Sequence, residues 1–231
     1  MVKKTKRFKE VLEKVDTRRT YTIKEAVETL KEIPHPKFDE TVEVSCKLNV
    51  DPKKSDQMVR GSVVLPHGLG KDIKVLVFTK GEKEKEAKAA GADYVGSEEL
   101  ISKIQGGWLD FDVAIATPDM MREVGKLGKI LGPRGLMPSP KVGTVTDQLQ
   151  KAIKEAKAGK LDFKVDRTGV VNVGIGKISF PVEHLIENIN TFIDALYRAK
   201  PASARGQYIK KMVVSTTMGP GLKIDLGEVT R

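Results

Sequence analysis

The sequence predicts an α/β (α+β) protein of two domains. One is an α+β domain on an antiparallel sheet, made of residues 1–67 plus 159–231. The other, residues 68–158, is a parallel α/β domain inserted into it. Three observations carry this reading. In "TVEVSCKLNV", Val42, Val44, Cys46, Leu48 and Val50 alternate with Thr41, Glu43, Ser45, Lys47 and Asn49, as in a strand with one buried and one polar face. After "PHGLGKD" the pattern becomes short apolar runs separated by helical stretches, the pattern of a parallel sheet covered on both sides. Charge divides the same way. Residues 68–158 hold 15 basic and 13 acidic residues, whereas the flanking segments hold 26 and 18, so most of the net +10 lies outside the insertion.

Each element has a local reason. Lys3 to Asp16 places Phe8, Val11, Leu12 and Val15 at helical spacing. Thr22 is an N-cap candidate for the helix "IKEAVETLKEI", which Pro34 and Pro36 stop. A second strand follows at Arg60 to Leu65. Inside the insertion come the strand "IKVLVF", the helix "GEKEKEAKAAGA", a short strand at Tyr94 and Val95, the helix "SEELISKI" and the strand "DVAIAT". "KLGKILGPRGLMPSPKVGTV" is too rich in Gly and Pro for a helix and reads as a structured loop. A helix around "DQLQKAIKEAKAG" closes at Gly159, a C′ glycine. "KLDFKVDRTGVVNVGIG" then reads as a hairpin turning near Thr168 and Gly169. The long helix after Pro181 and the strand "YIKKMVVSTTM" complete the chain. Gly68, Gly70 and Gly159 stand at the two crossings between domains and are candidate hinges.

Several function classes are excluded or weakened. A single cysteine, Cys46, allows no internal disulfide and no paired-cysteine metal site, and it shares the apolar face of its strand. His35, His67 and His184 have no metal-ligand spacing. No GxxxxGK[ST] loop occurs, and "GLG" and "GIG" lack the third glycine of a dinucleotide fingerprint. An enzyme with a nucleotide or cofactor site in the inserted domain is the alternative reading, without a loop motif to support it. No metal or cofactor is expected. No apolar run approaches the roughly 20 residues of a spanning helix, and the basic N-terminus lacks the apolar core of a secretory signal. A soluble, intracellular protein without a membrane partner is expected.

The excess of positive charge points to a polyanion, nucleic acid first. Thr41, Glu43, Ser45 and Lys47 share one strand face; Lys211, Ser215 and Thr217 share another. "PKFDET" sets Lys37 and Phe38 at a strand mouth, and "VDRTG" offers Lys164 and Arg167 at a turn. "STTMGPG" joins hydroxyls, the Met218 thioether and the bare backbone of Gly219. Hydroxyls that both donate and accept, next to an apolar platform, suit RNA with its 2′-hydroxyls and unstacked bases better than duplex DNA. Arg134 and Lys141, in the Gly/Pro-rich segment, form a possible secondary binding loop.

Taken in order, "KFDETVEV", "LPHGLGK", "GADYVG", "LGKILGPRGLMPSPKVGTV" and "TTMGPG" resemble large-subunit ribosomal protein one of the bacterial type, from about Thr22 to Gly221. The resemblance implies that the inserted domain is Rossmann-like and that the protein binds large-subunit rRNA in the mobile stalk beside the exit site. It further implies a cytoplasmic, ribosome-bound protein that assists release of deacylated tRNA, represses translation of its own mRNA and is a monomer when free. By motif, Phe38, Thr41, Glu43, Thr217, Met218 and Gly219 fall on the family's RNA contacts, and Arg167 on its basic turn position. The tail "GLKIDLGEVTR" departs from any fixed pattern and carries no expected role.

Overall fold

The structure, a computed structural model, describes residues 5–227 and 229. Its contacts gather into two compact units, Met1–Gly70 with Leu161–Arg231, and Lys71–Lys160. In chain order the elements begin with α1 (Lys6–Lys14), β1 (Thr20–Tyr21), α2 (Ile23–Glu32), β2 (Thr41–Leu48) and β3 (Arg60–Val64). Within Lys71–Lys160 follow β4 (Val75–Phe78), α3 (Lys83–Ala89), β5 (Tyr94–Gly96), α4 (Glu98–Gln105), β6 (Val113–Ala116), α5 (Met121–Val124), α6 (Gly128–Leu131) and α7 (Leu149–Lys157). The chain ends with β7 (Lys160–Lys164), β8 (Val170–Lys177), α8 (Val182–Arg198), β9 (Ile209–Thr216) and β10 (Leu222–Ile224).

The terminal unit is organised by a five-stranded sheet of order β1-β10-β9-β2-β8. It is antiparallel except at its edge, where β1 runs parallel to β10. Val42, Val44 and Cys46 of β2 point inward with Met212 and Val214 of β9. Against them lie α2, through Ala26, Val27 and Leu30, and α8, through Leu185, Ile189, Phe192 and Leu196. Those positions recur at three and four residues, so each helix buries one stripe. Thr22 caps α2 in a reciprocal box: its Oγ1 accepts from Glu25 N at 3.1 Å while its own N–H donates to the Glu25 carboxylate at 3.2 Å. Burial pushes the Cys46 thiol up from 9.0 to about 12, so it is an inert core group.

Two expectations need correction. The "KLDFK…VVNVGIG" pair is not a hairpin ladder, because β7 pairs with β3 while β8 pairs with β2. Its turn does form. Gly169 takes φ 80°, and Asp166 Oδ1 accepts from the Thr168 hydroxyl and N–H, both at 2.7 Å, and from Val170 N at 2.9 Å. Led by the Thr168 hydroxyl, these donors hold the Asp166 carboxyl below its usual range. Beyond so tight a turn the arms separate, β7 to the five residues of β3 and β8 to the eight of β2. The Gly/Pro segment also contains helix, the single turn α6 and the 3-10 turns Gly125–Leu127 and Pro140–Val142. Buried Leu127 and Leu131 anchor these turns in the core despite the glycines around them.

The inner unit is a three-stranded parallel sheet, order β5-β4-β6, covered on both faces. Val75, Val77 and Ile115 face α3 and α7, whereas Leu76, Phe78 and Ala114 face α4 and the turns around α5 and α6. All four residues of β4 are buried, which is why its sequence runs apolar without alternation. The three candidate hinge glycines have positive φ: 64° at Gly68, 66° at Gly70 and 94° at Gly159. Gly68 and Gly70 are fastened within the terminal unit. Asn188, fully buried on α8, donates to Gly68 O at 3.1 Å and accepts from His67 N at 3.2 Å. A Cβ on Gly70 would sit 2.8 Å from the Phe180 ring.

Candidate nucleic-acid interface

With one face of the five-stranded sheet covered by helices, the opposite face carries the residues that alternation turns outward. The pairing register aligns them in rows. Ser215, Glu43 and Gly174 form one row; Lys223, Val213, Ser45 and Asn172 form the next, continued by Thr20; Lys211, Lys47 and Val170 form a third. These side chains are short or polar, so the face is flat and rich in donors and acceptors. Glu43 has no hydrogen-bond or ion-pair partner among the described residues.

At one end of the face the two chain extremities lock together. Thr217 N donates to Thr41 O at 3.1 Å, and Thr41 N donates to Thr217 Oγ1 at 3.1 Å. Met218 N donates to Glu40 Oε1 at 2.6 Å. The loops carrying Phe38 and Met218 are thereby held side by side, and both side chains are 52% exposed although apolar. Lys177 Nζ donates to Thr41 Oγ1 at 3.1 Å, which leaves the Thr41 hydroxyl proton free to donate outward. Lys37 is exposed beside Phe38.

Gly219 has a reason internal to the turn. It closes on Thr216 through N–H to O at 3.1 Å, and a Cβ there would lie 2.3 Å from Thr216 Oγ1. The glycine is required by the buried threonine beneath it, whatever approaches from outside.

The other end of the face is basic. Lys47 and Lys211 are directly paired across β2 and β9, an arrangement that costs stability between like charges. Lys47 Nζ donates to Thr168 O, which brings the exposed Arg167 turn to this end. Thr41 and Lys47 are six residue steps apart along β2, about 20 Å at the usual rise of a strand. The apolar pair and the basic pair thus mark opposite ends of one surface.

Of the residues singled out from sequence, Lys37, Phe38, Thr41, Glu43, Ser45, Ser215, Thr217, Met218 and Gly219 gather on this face or at its mouth, and Arg167 at its far end. Lys164 does not join them, since it ends β7 in the separate two-stranded sheet. Arg134 is exposed in the inner unit, and the side chain of Lys141 lies outside the described residues. Sequence reasoning missed Asn172, Lys177, Thr20 and Lys223. The first two were within reach, because "VVNVGIGK" alternates like β2. Strands as short as β1 and β10 leave no period to read.

Among the described residues no group of three or more His, Cys, Asp or Glu side chains could hold a metal, and no helix is long and apolar enough to cross a membrane. What the fold defines is a two-unit α/β protein with an extended polar sheet surface, whose Lys47–Lys211 end is basic and whose other end exposes Phe38 and Met218. The family comparison makes this specific. The sequence model of the Ribosomal protein L1p/L10e family matches residues 30–220. The chain is 60% identical over 228 residues to the Large ribosomal subunit protein uL1 of Protochlamydia amoebophila (strain UWE25), covering 99% of this chain and 97% of that one. It is 57% identical over 229 residues to the protein of the same name from Chlamydia abortus (strain DSM 27085 / S26/3), covering 99% of each. The chain belongs to the ribosomal protein L1p/L10e family, a structural constituent of the ribosome and not an enzyme. The enzyme alternative is set aside on that ground.

Proposed function

We propose that the protein binds the large-subunit rRNA of the mobile stalk near the exit site, with the open face of the five-stranded sheet as its contact surface. The terminal unit is then the RNA-binding domain and the inner unit a Rossmann-like insertion. In this reading phosphates lie along Lys47, Lys211 and Arg167, and sugars or bases lie against Phe38 and Met218. Glu43, which phosphate would repel, accepts from a 2′-hydroxyl or a base amine. The observation that carries the proposal is the latched end of the sheet, where two apolar side chains stay exposed beside a row of free hydroxyl and carboxylate groups. Arg134 is a secondary contact in the same reading. Assistance to release of deacylated tRNA at the exit site, and repression of its own mRNA through a similar RNA fold, belong to the same proposal. So do a monomeric free protein and a hinge at the two crossings.

Filter binding to a stalk rRNA fragment across a salt series tests the surface. Lys211→Ala is expected to weaken binding at low salt and to lower the log–log salt slope by about one, the share of one phosphate contact. An unchanged slope and affinity would remove the basic end from the interface. Equal affinity for an unrelated duplex at high salt would reduce the protein to a general polyanion binder, since phosphate contacts carry no sequence information.

A further inference from the structure

The peptide of Met218 is held from both sides by side chains remote in sequence. Its N–H donates to Glu40 Oε1 at 2.6 Å, and its carbonyl accepts from Arg7 Nη2 at 2.9 Å. Neither side chain stops there. Arg7 Nη1 donates to Pro34 O at 3.0 Å, and the other oxygen of Glu40 lies 2.7 Å from His35 Nδ1. Each therefore joins the segment before Phe38 to the turn that carries Met218, and Arg7 brings α1 into the same joint across 211 residues of chain.

Two costs in this joint need a return. The Glu40 side chain is wholly buried, and a buried carboxylate forfeits hydration that its partners must restore. Apolar residues of similar volume often serve stability as well as a buried pair does, so stability alone is a weak reason to keep one. The second cost is that Phe38 and Met218, both apolar, remain half exposed to solvent. Both costs make sense if the two side chains must stand at a fixed spacing. A guanidinium fork spans two carbonyls in one plane, which a lysine cannot do. A surface ordered in advance loses less side-chain and loop entropy on binding.

We propose that Arg7 and Glu40 are positioning residues that set Phe38 and Met218 as a preformed platform for RNA, with α1 serving as the strap that carries Arg7. This rests on the reading that the platform faces RNA. The alternative for Arg7 is a direct phosphate contact, and the two differ in what they change.

The test uses the full chain and a stalk rRNA fragment. It compares Arg7→Ala, Arg7→Lys, Glu40→Gln, Glu40→Ala and Met218→Asp by association and dissociation rates across a salt series, by thermal melting, and by hydrogen exchange at the Met218 amide in the free protein. Positioning predicts that Arg7→Ala binds about tenfold more weakly through faster dissociation, with an unchanged salt slope and faster exchange at Met218. Arg7→Lys should recover only part of the loss, because its compact ammonium lacks the planar two-nitrogen fork that reaches Pro34 O and Met218 O. Glu40→Gln, which keeps an acceptor for Met218 N, should bind better than Glu40→Ala. Wild-type binding by Arg7→Ala while Met218→Asp is defective would overturn the positioning role and leave the surface standing. So would a loss that appears only as a salt slope reduced by about one, or full recovery with Arg7→Lys. Wild-type binding by Met218→Asp would sink the surface and the positioning role together. The Arg7 variants change a side chain outside the core, so they keep the test open if Glu40→Ala fails to fold.

Discussion

Gly219→Ala is expected to destabilise the protein by about 1–3 kcal/mol, the usual range for forcing an atom into a packed site, and to cut RNA affinity with it. The added Cβ would lie 2.3 Å from Thr216 Oγ1, closer than such atoms approach, and Thr216 is 2% exposed with little room to yield. Relief must come from the turn that carries Met218, which would shift the thioether away from Phe38. The Thr216 hydroxyl has no hydrogen-bond partner among the described residues, so removing it forfeits no bond. Thr216→Ala alone should therefore cost little, and combined with Gly219→Ala it should restore most of the loss. Urea titration of the four proteins gives the coupling between the sites, expected within the roughly 0.5–3 kcal/mol range of contacting pairs. Additive effects would show that the glycine answers to something other than the threonine.

Asn188→Ala should cost about 2 kcal/mol, because it strands the buried Ile175 carbonyl and two part-buried backbone groups, Gly68 O and His67 N, at once. Its amide donates to Ile175 O at 2.8 Å and Gly68 O at 3.1 Å and accepts from His67 N at 3.2 Å, on a side chain with no exposure. For a protein of this size that corresponds to a fall of roughly 4–8 °C in melting temperature. Asn188→Asp should be worse at neutral pH, since a carboxylate cannot donate to either carbonyl and brings an unpaired charge into the core. The same variants should loosen the chain at His67 and Gly68, and amide exchange at Gly68 reads that locally. An unaltered melting temperature would contradict the role given to Asn188.

What could be read from sequence followed from short-range rules. β2 showed its two faces because burial alternates strictly from Val42 to Leu48, and α8 showed its stripe through Leu185, Ile189, Phe192 and Leu196. The grouping of Phe38, Thr41, Glu43, Ser215 and Met218 followed from pairing two such strands. Other features have no local sign. A tight turn at Asp166–Val170 looks like a hairpin, but its arms pair with β3 and β2, strands remote in sequence. β1 and β10 are two and three residues long; β10 forms on the edge of β9, and β1 on the edge of β10. The need for Gly219 lies in a hydroxyl three residues earlier, on the buried side of the strand. Arg7 and Glu40 reach Met218 across 211 and 178 residues, where no periodicity can point.

The central claim is that the Phe38 and Met218 end of the open sheet face lies against RNA, and oxidation footprinting of Met218 tests it most directly. Met218 is 52% exposed and Met58 48%, so both should form sulfoxide readily in the free protein, well before buried Met120 and Met212. When a stalk rRNA fragment saturates the protein, Met218 is predicted to oxidise many times more slowly. Oxidation of Met218 at the same rate in the free and the fully bound protein would contradict the claim.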